Sequence, residues 1–222
     1  MSLNLNDMKE NMIKGQFKPM GISDDRVIEA FLSVPRERFV AGVINDSPYF
    51  DGHIRLERKR WLLSSLSIAR LISLVKISPE DIILEIGSTS GYSTAILANL
   101  ASLVIAVEQD PKLVKSIEKN LANTASDNTV IINSDHSLGY SKSAPYDKIF
   151  IFGSVPKIKD NITDQLSDNG SLVTVLIDEN KEDTFGKAVV LKKNKGIINL
   201  FEYFEVFLPL MPGFNLEEKF QF

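Results

Sequence analysis

The sequence predicts an α/β fold: a Rossmann-like, mostly parallel central sheet with helices on both faces and an antiparallel hairpin at its C-terminal edge. Three observations predict it. Asp81 to Leu100 reads as a buried strand, a glycine-bearing loop and a helix: Ile82, Ile83, Leu84 and Ile86, then Gly87 and Gly91, then Ala95, Ile96, Leu97, Ala98 and Leu100. Strand and helix patterns alternate after it. Finally, Lys187 to Leu191 and Ile197 to Leu208 flank the turn Asn194-Lys195-Gly196, a hairpin signal.

Composition narrows the class. The 222 residues suffice for one domain, 1–222, with an N-terminal helical segment over 1–75 and the ligand-binding sheet over 76–222. Net charge is −4 and the pI about 5.3, which argues against a nucleic-acid partner. The absence of cysteine excludes disulfides, thiolate nucleophiles and Cys-ligated metal, and fits a reducing compartment. Two histidines, His53 and His136, do not suggest a metal site. No apolar run is long enough for a signal peptide or a membrane span, so no membrane partner is expected.

The elements follow in order. Asn4 to Lys18 carries Met8, Met12 and Ile13 at helical spacing. Gly21-Ile22-Ser23 predicts a turn with Ser23 as helix cap. Asp24 to Val34 then predicts an amphipathic helix that Pro35 ends. Residues 41 to 60 read as irregular, and their cationic cluster of Arg55, Arg58, Lys59 and Arg60 reads as a solvated loop, with a binding role as the alternative. Trp61 to Val75 predicts a helix against the sheet. Leu103 to Val107 predicts the second strand, and Asp110-Pro111 opens a helix to about Leu121. Val130 to Ile132, Asp147 to Phe152 and Ser171 to Ile177 predict further strands, with a helix across Pro156 to Leu166.

Strand, glycine loop and helix bring backbone N–H groups to a ligand, with glycine where φ is positive or the ligand comes close. Glu108 ends the next strand about twenty residues past Gly87, where a ribose-binding acid is expected. A P-loop needs Gly-Lys-Ser/Thr, and the chain has Gly91-Tyr92-Ser93. A dinucleotide fingerprint fails at Thr89 and Tyr92. The spacing E-x-G-x-x-x-G, with an acid closing the following strand, suits S-adenosylmethionine. The competing reading is that the glycines serve only a tight strand–helix turn.

With its flanks, the sequence resembles the protein-L-isoaspartate O-methyltransferase family over nearly its whole length. The likeness lies in Gly21 to Val27, Val34 to Val40, Tyr49-Phe50-Asp51, Leu84 to Tyr92, Ala144 to Ile149, Gln165-Leu166 and Gly170 to Val173. It implies a class I methyltransferase fold and a cytoplasmic enzyme that uses S-adenosylmethionine to methylate isoaspartyl carboxylates in damaged proteins or peptides. It places Glu85, Gly87, Ser88, Gly91, Tyr92, Glu108, Gln109, Asp135 and His136 at the cofactor, and makes Ser64 and Asp51, on the acceptor side, the candidate catalytic residues. Glu85 would hold the cofactor ammonium, Glu108 the ribose hydroxyls, and Asp135 with His136 the adenine edge. Asp135 could instead cap a turn, His136 could simply be solvated, and Glu85 could be a satisfied polar residue at a strand end. The isoaspartyl carboxylate is ionised at neutral pH, so the reaction needs positioning and water exclusion rather than a strong base.

Two departures from the family pattern stand out. Thr89 replaces the middle glycine of the loop, where a β-branched residue tolerates positive φ poorly. The family's substrate loop is replaced by Glu57 to Ser65, with Trp61 and Leu63 where threonine and serine are usual; Ser64 takes the serine's place only if the loop shifts. Two other readings follow: a methyltransferase with a different acceptor, or a non-catalytic binding protein.

Overall fold

The structure is a computed structural model that describes residues 4–40, 43, 47–56, 60–122, 124, 126–178 and 185–214. Glu57, Arg58 and Lys59 of the expected cationic loop lie outside the described residues.

The N-terminal layer starts with α1 (Leu5–Met12), capped by Asn4. It continues through a π turn, Ile13–Phe17, and a 3-10 turn that ends at Gly21 with φ 76°. Helix α2 (Asp25–Ser33) is capped by Asp24, not by the expected Ser23: the Asp24 carboxylate accepts from the N–H groups of Arg26 and Val27. Two arginines fasten this layer. Arg26 donates to the carbonyls of Ile77 and Leu100, both at 2.7 Å. Arg36 opens the short α3 (Arg36–Phe39), is fully buried, lies 4.7 Å over the Tyr92 ring, and donates to the carbonyls of Pro48 and Leu63.

Trp61 to Val75 is not one helix. Residues Ile54–Arg55 (β1) and Trp61–Leu62 (β2) pair antiparallel, and α4 (Ser65–Ile72) begins only after them. A short apolar run fits strand and helix alike, and here β1 supplied the partner. Ser64 is the N-cap of α4: its hydroxyl accepts from the Ser67 N–H at 3.1 Å.

The main sheet comprises β3 (Ile82–Ile86), β4 (Leu103–Glu108), β5 (Thr129–Asn133), β6 (Tyr146–Val155), β7 (Leu166–Leu176), β8 (Gly186–Asn194) and β9 (Ile197–Val206). Their order is β5-β4-β3-β6-β7-β8-β9; the first five pair in parallel, and β8 runs antiparallel between β7 and β9. The order reverses direction between β3 and β6, which puts a ligand crevice at the carboxyl ends of these strands. The connection from β6 to β7 holds one helical turn, Asp160–Thr163 (α7), instead of the expected longer helix. No helix among the described residues is long and apolar enough to cross a membrane.

Strand side chains alternate between two cores. Ile83, Val104, Phe150, Val173 and Val190 face a core shared with α2, α4, α5 (Tyr92–Ala98) and α6 (Pro111–Leu121). Leu84, Ile86, Val107, Ile149 and Ile151 face a second core, whose cover includes Ile162 of α7 and two residues beyond β9, Met211 and Phe214. Glu85 shares its face with Ile83. It is fully buried, accepts from the hydroxyls of Ser93 and Thr94 on α5, and burial lifts its pKa from 4.5 to about 7.

Two predictions follow. Ser64→Ala should lower the unfolding free energy by about 1 kcal/mol, the scale of a lost N-cap, in urea titrations. For Glu85 the folded-state pKa lies above the unfolded one, so the native state keeps a proton that the unfolded chain loses as pH rises. Its contribution therefore declines from about pH 5 upward and is lost above about pH 7, with roughly 3 kcal/mol at stake. Glu85→Gln should flatten this part of the stability–pH curve, read from urea midpoints at several pH values.

Candidate functional site

The loop between β3 and α5 leaves the ordinary backbone regions three times: φ is 86° at Gly87, 58° at Thr89 and 87° at Gly91. Thr89 adopts the strained conformation because its own groups are tied down. Its hydroxyl donates to the Gly87 carbonyl at 2.8 Å, and its N–H donates to Glu108 at 3.1 Å. Gly91 is needed twice over, for its φ and because a Cβ there would stand 3.1 Å from the Ile117 side chain of α6. Two loop hydroxyls, Ser88 Oγ and Ser90 Oγ, are buried without a hydrogen-bond partner. Tyr92 points away from the crevice into the first core, between Phe31, Phe39 and Arg36, and its hydroxyl meets Ser65 at 3.2 Å.

Glu108 closes β4 and is fully buried. Its Oε2 accepts from Thr89 N–H and from Arg60 Nη2 at 2.8 Å; its Oε1 accepts from Asp110 N–H at 3.1 Å and lies 3.5 Å from His136 Nε2. Burial alone would raise its pKa, but the positive charge of Arg60 and the Asp110 N–H more than offset that and hold the carboxyl below the usual range. Arg60, expected in solvent, is only 6% exposed and also donates to the Thr89 hydroxyl at 3.2 Å. It was misread because its neighbours in sequence are polar. The available signal was period-two alternation, since Arg60 and Leu62 are both buried while Trp61 is half-buried.

His136 is likewise buried rather than solvated. Nε2 receives the Gln109 N–H at 3.2 Å and Nδ1 donates to the Pro212 carbonyl at 3.0 Å. Asp135 is exposed and caps the turn His136–Leu138 through Ser137 N–H, and Gln109 is exposed beside it. The carboxylate oxygens of Glu85 are turned toward Ser93 and Thr94. On the acceptor side, Asp51 is exposed on the bend before β1, whereas the Ser64 hydroxyl is buried and engaged with Ser67.

The segment after β9 crosses this crevice as a strap, Phe207 to Phe214. It is held mainly by its carbonyls. His53 Nε2 donates to Phe207, Ser154 Oγ to Leu208, Ser154 N–H to Pro209, and His136 to Pro212. The Met211 N–H returns a bond to the Ser154 carbonyl at 2.8 Å. The Met211 methyl lies 2.3 Å from where a Gly87 Cβ would be and 2.8 Å from that of Gly153. Gly213 passes so close that its Cβ would stand 3.0 Å from Asp135 Oδ1 and 3.3 Å from Gln109 Oε1. Sequence reading missed Met211; the signal was an apolar run, Phe207-Leu208-Pro209-Leu210-Met211, that Pro209 and the following Pro212 bar from extending the sheet.

The crevice can thus be tested for a nucleotide-like cofactor. The positive-φ loop and its orphaned hydroxyls suit one. The occupied space does not: the cavity left among Arg60, Leu63, Thr89, Phe152 and Met211 is about 20 Å³, room for one water-sized group. A wider open depression of about 530 Å³ lies outside it, at Gln109, Asp110, Pro111 and Asp135.

Comparison with known proteins places the chain. The family described as Protein-L-isoaspartate(D-aspartate) O-methyltransferase (PCMT) matches residues 7–212. A protein-L-isoaspartate O-methyltransferase of Protochlamydia amoebophila (strain UWE25) is 37% identical over 162 residues, 73% of this chain and 77% of that protein. Its counterpart from Methanoregula boonei is 35% identical over 167 residues, 75% of this chain and 77% of that protein. A solved structure titled protein-L-isoaspartate O-methyltransferase superposes with a TM-score of 0.81 at 22% identity, covering 93% of this chain and 67% of that one. A Plasmodium falciparum protein with the same description, in complex with S-adenosyl-L-homocysteine, superposes with a TM-score of 0.78 at 22% identity, covering 95% and 99%. The two structures bear out the Rossmann-like methyltransferase fold, and the family match and the two relatives settle the membership: the chain belongs to the protein-L-isoaspartate(D-aspartate) O-methyltransferase family.

Proposed function

We propose that the chain transfers a methyl group from S-adenosylmethionine to the side-chain carboxylate of L-isoaspartyl residues in proteins and peptides. The observation that carries this reading is the family match over residues 7–212, which spans both the glycine loop and the acceptor segment. The crevice at the ends of β3, β4 and β6 is the site, with Gly87, Ser88, Gly91 and Glu108 toward the inner part of the cofactor and Gln109, Asp135 and His136 at the outer rim. Asp51 is the exposed carboxylate on the acceptor side. A chain without cysteine suits the reducing cytoplasm.

A second reading keeps the cofactor and changes the acceptor. It is favoured by Leu63, which is buried beside the crevice together with the half-buried Trp61, and by Ser64, whose hydroxyl is already spent on capping α4. These side chains leave few donors for a peptide carboxylate.

The test is methyl transfer from labelled S-adenosylmethionine to an isoaspartyl peptide and to its normal aspartyl twin. Base-labile label, released as methanol, is expected on the isoaspartyl peptide alone. Label that resists base, or none on either peptide from a protein that binds S-adenosylhomocysteine, would move the assignment to the second reading.

A further inference from the structure

We propose that the chain carries its own occupant of the cofactor crevice: Arg60 engages the ribose-type acid Glu108, Met211 fills the glycine loop, and a cofactor binds only after both withdraw. The inference rests on the methyltransferase reading of this site and goes beyond it.

Three observations converge. Arg60 and the N–H groups of Thr89 and Asp110, with His136 alongside, surround Glu108 and leave neither of its oxygens open to a ligand hydroxyl. The Met211 side chain stands directly over Gly87 and Gly153, where glycine otherwise allows close approach of a ligand. Gly213 then runs against the side chains of Gln109 and Asp135, so the same strap reaches from the inner loop to the outer rim.

The occupant is removable on physical grounds. Arg60 Nη1 is buried without a hydrogen-bond partner, so the guanidinium is incompletely satisfied where it sits. Ser88 Oγ and Ser90 Oγ of the same loop are likewise buried without a hydrogen-bond partner. A cofactor that supplied hydroxyl and carboxylate groups would satisfy these atoms, whereas Met211 does not. Opening requires the strap to release Ser154 and His136, which hold it through the bonds at Pro209, Met211 and Pro212.

The measurement is calorimetric binding of S-adenosylhomocysteine to the full chain and to Met211→Ala and Arg60→Ala. Hydrogen exchange at the Met211 and Phe214 amides is followed in parallel. Each substitution should tighten binding by about tenfold or more, since apparent affinity is lowered by the fraction of molecules that are open. Ligand should also speed exchange at Met211 in the unaltered chain. Arg60→Ala leaves Glu108 buried without its cation and can fail to fold; Met211→Ala keeps the ion pair and carries the test alone if it does. If the unaltered chain binds as tightly as Met211→Ala and the strap amides stay protected, the occupant is refuted while the cofactor reading stands. If no form binds at millimolar ligand, both are refuted.

Discussion

A carboxylate with no access to water must find its hydrogen-bond donors inside the protein. Glu108 is that carboxylate here, and the surrounding structure is arranged to supply it. Thr89 must take a positive φ for its N–H to reach Oε2. Asp110 turns its own N–H toward Oε1 while its side chain caps α6 through Lys112 N–H. Arg60 comes from the β1–β2 hairpin, and His136, from the turn after β5, packs alongside with its Nε2 committed to the Gln109 N–H. Four segments distant in sequence thus meet at one acid. Removing one partner of such a buried pair typically costs about 3–5 kcal/mol, so these segments are mutually dependent.

The arrangement makes the site part of the fold's second core. Among the described residues, that face of the sheet has little α-helix over it beyond the single turn of α7, and Met211 and Phe214 of the strap add to the cover. The first face is closed by the whole N-terminal layer, stapled by Arg26 and Arg36. Rigidity is therefore concentrated on one side of the sheet, and the element that crosses the ligand crevice belongs to the more thinly built side.

What the sequence disclosed, and what it hid, follows the range of the interactions. The strand–loop–helix of β3 and α5, Glu108 at the end of β4 and the C-terminal hairpin were legible, because each is written in local periodicity or in glycines at special backbone angles. Arg60, His136 and Met211 were not, because their burial is decided by partners tens of residues away. Trp61 and Leu62 read as helix since nothing local announces β1 as a partner. Ser64 shows the opposite case: a serine just before an apolar helix is a cap signal, and the acceptor-side role implied by the resemblance drew attention away from it.

The way the strap is held has a consequence for how such a site can change. Four of its bonds fall on carbonyl oxygens, those of Phe207, Leu208, Pro209 and Pro212, and a carbonyl is common to every residue type. From Phe207 to Pro212 the path of the segment is thus set mainly by its backbone, whereas Gly213 is held to glycine by its φ of 88° and its approach to Asp135. The side chain at position 211 can be shortened while the backbone keeps its route over the crevice. Divergence at a single codon is then enough to redefine what the crevice accepts, without redesigning the scaffold around it.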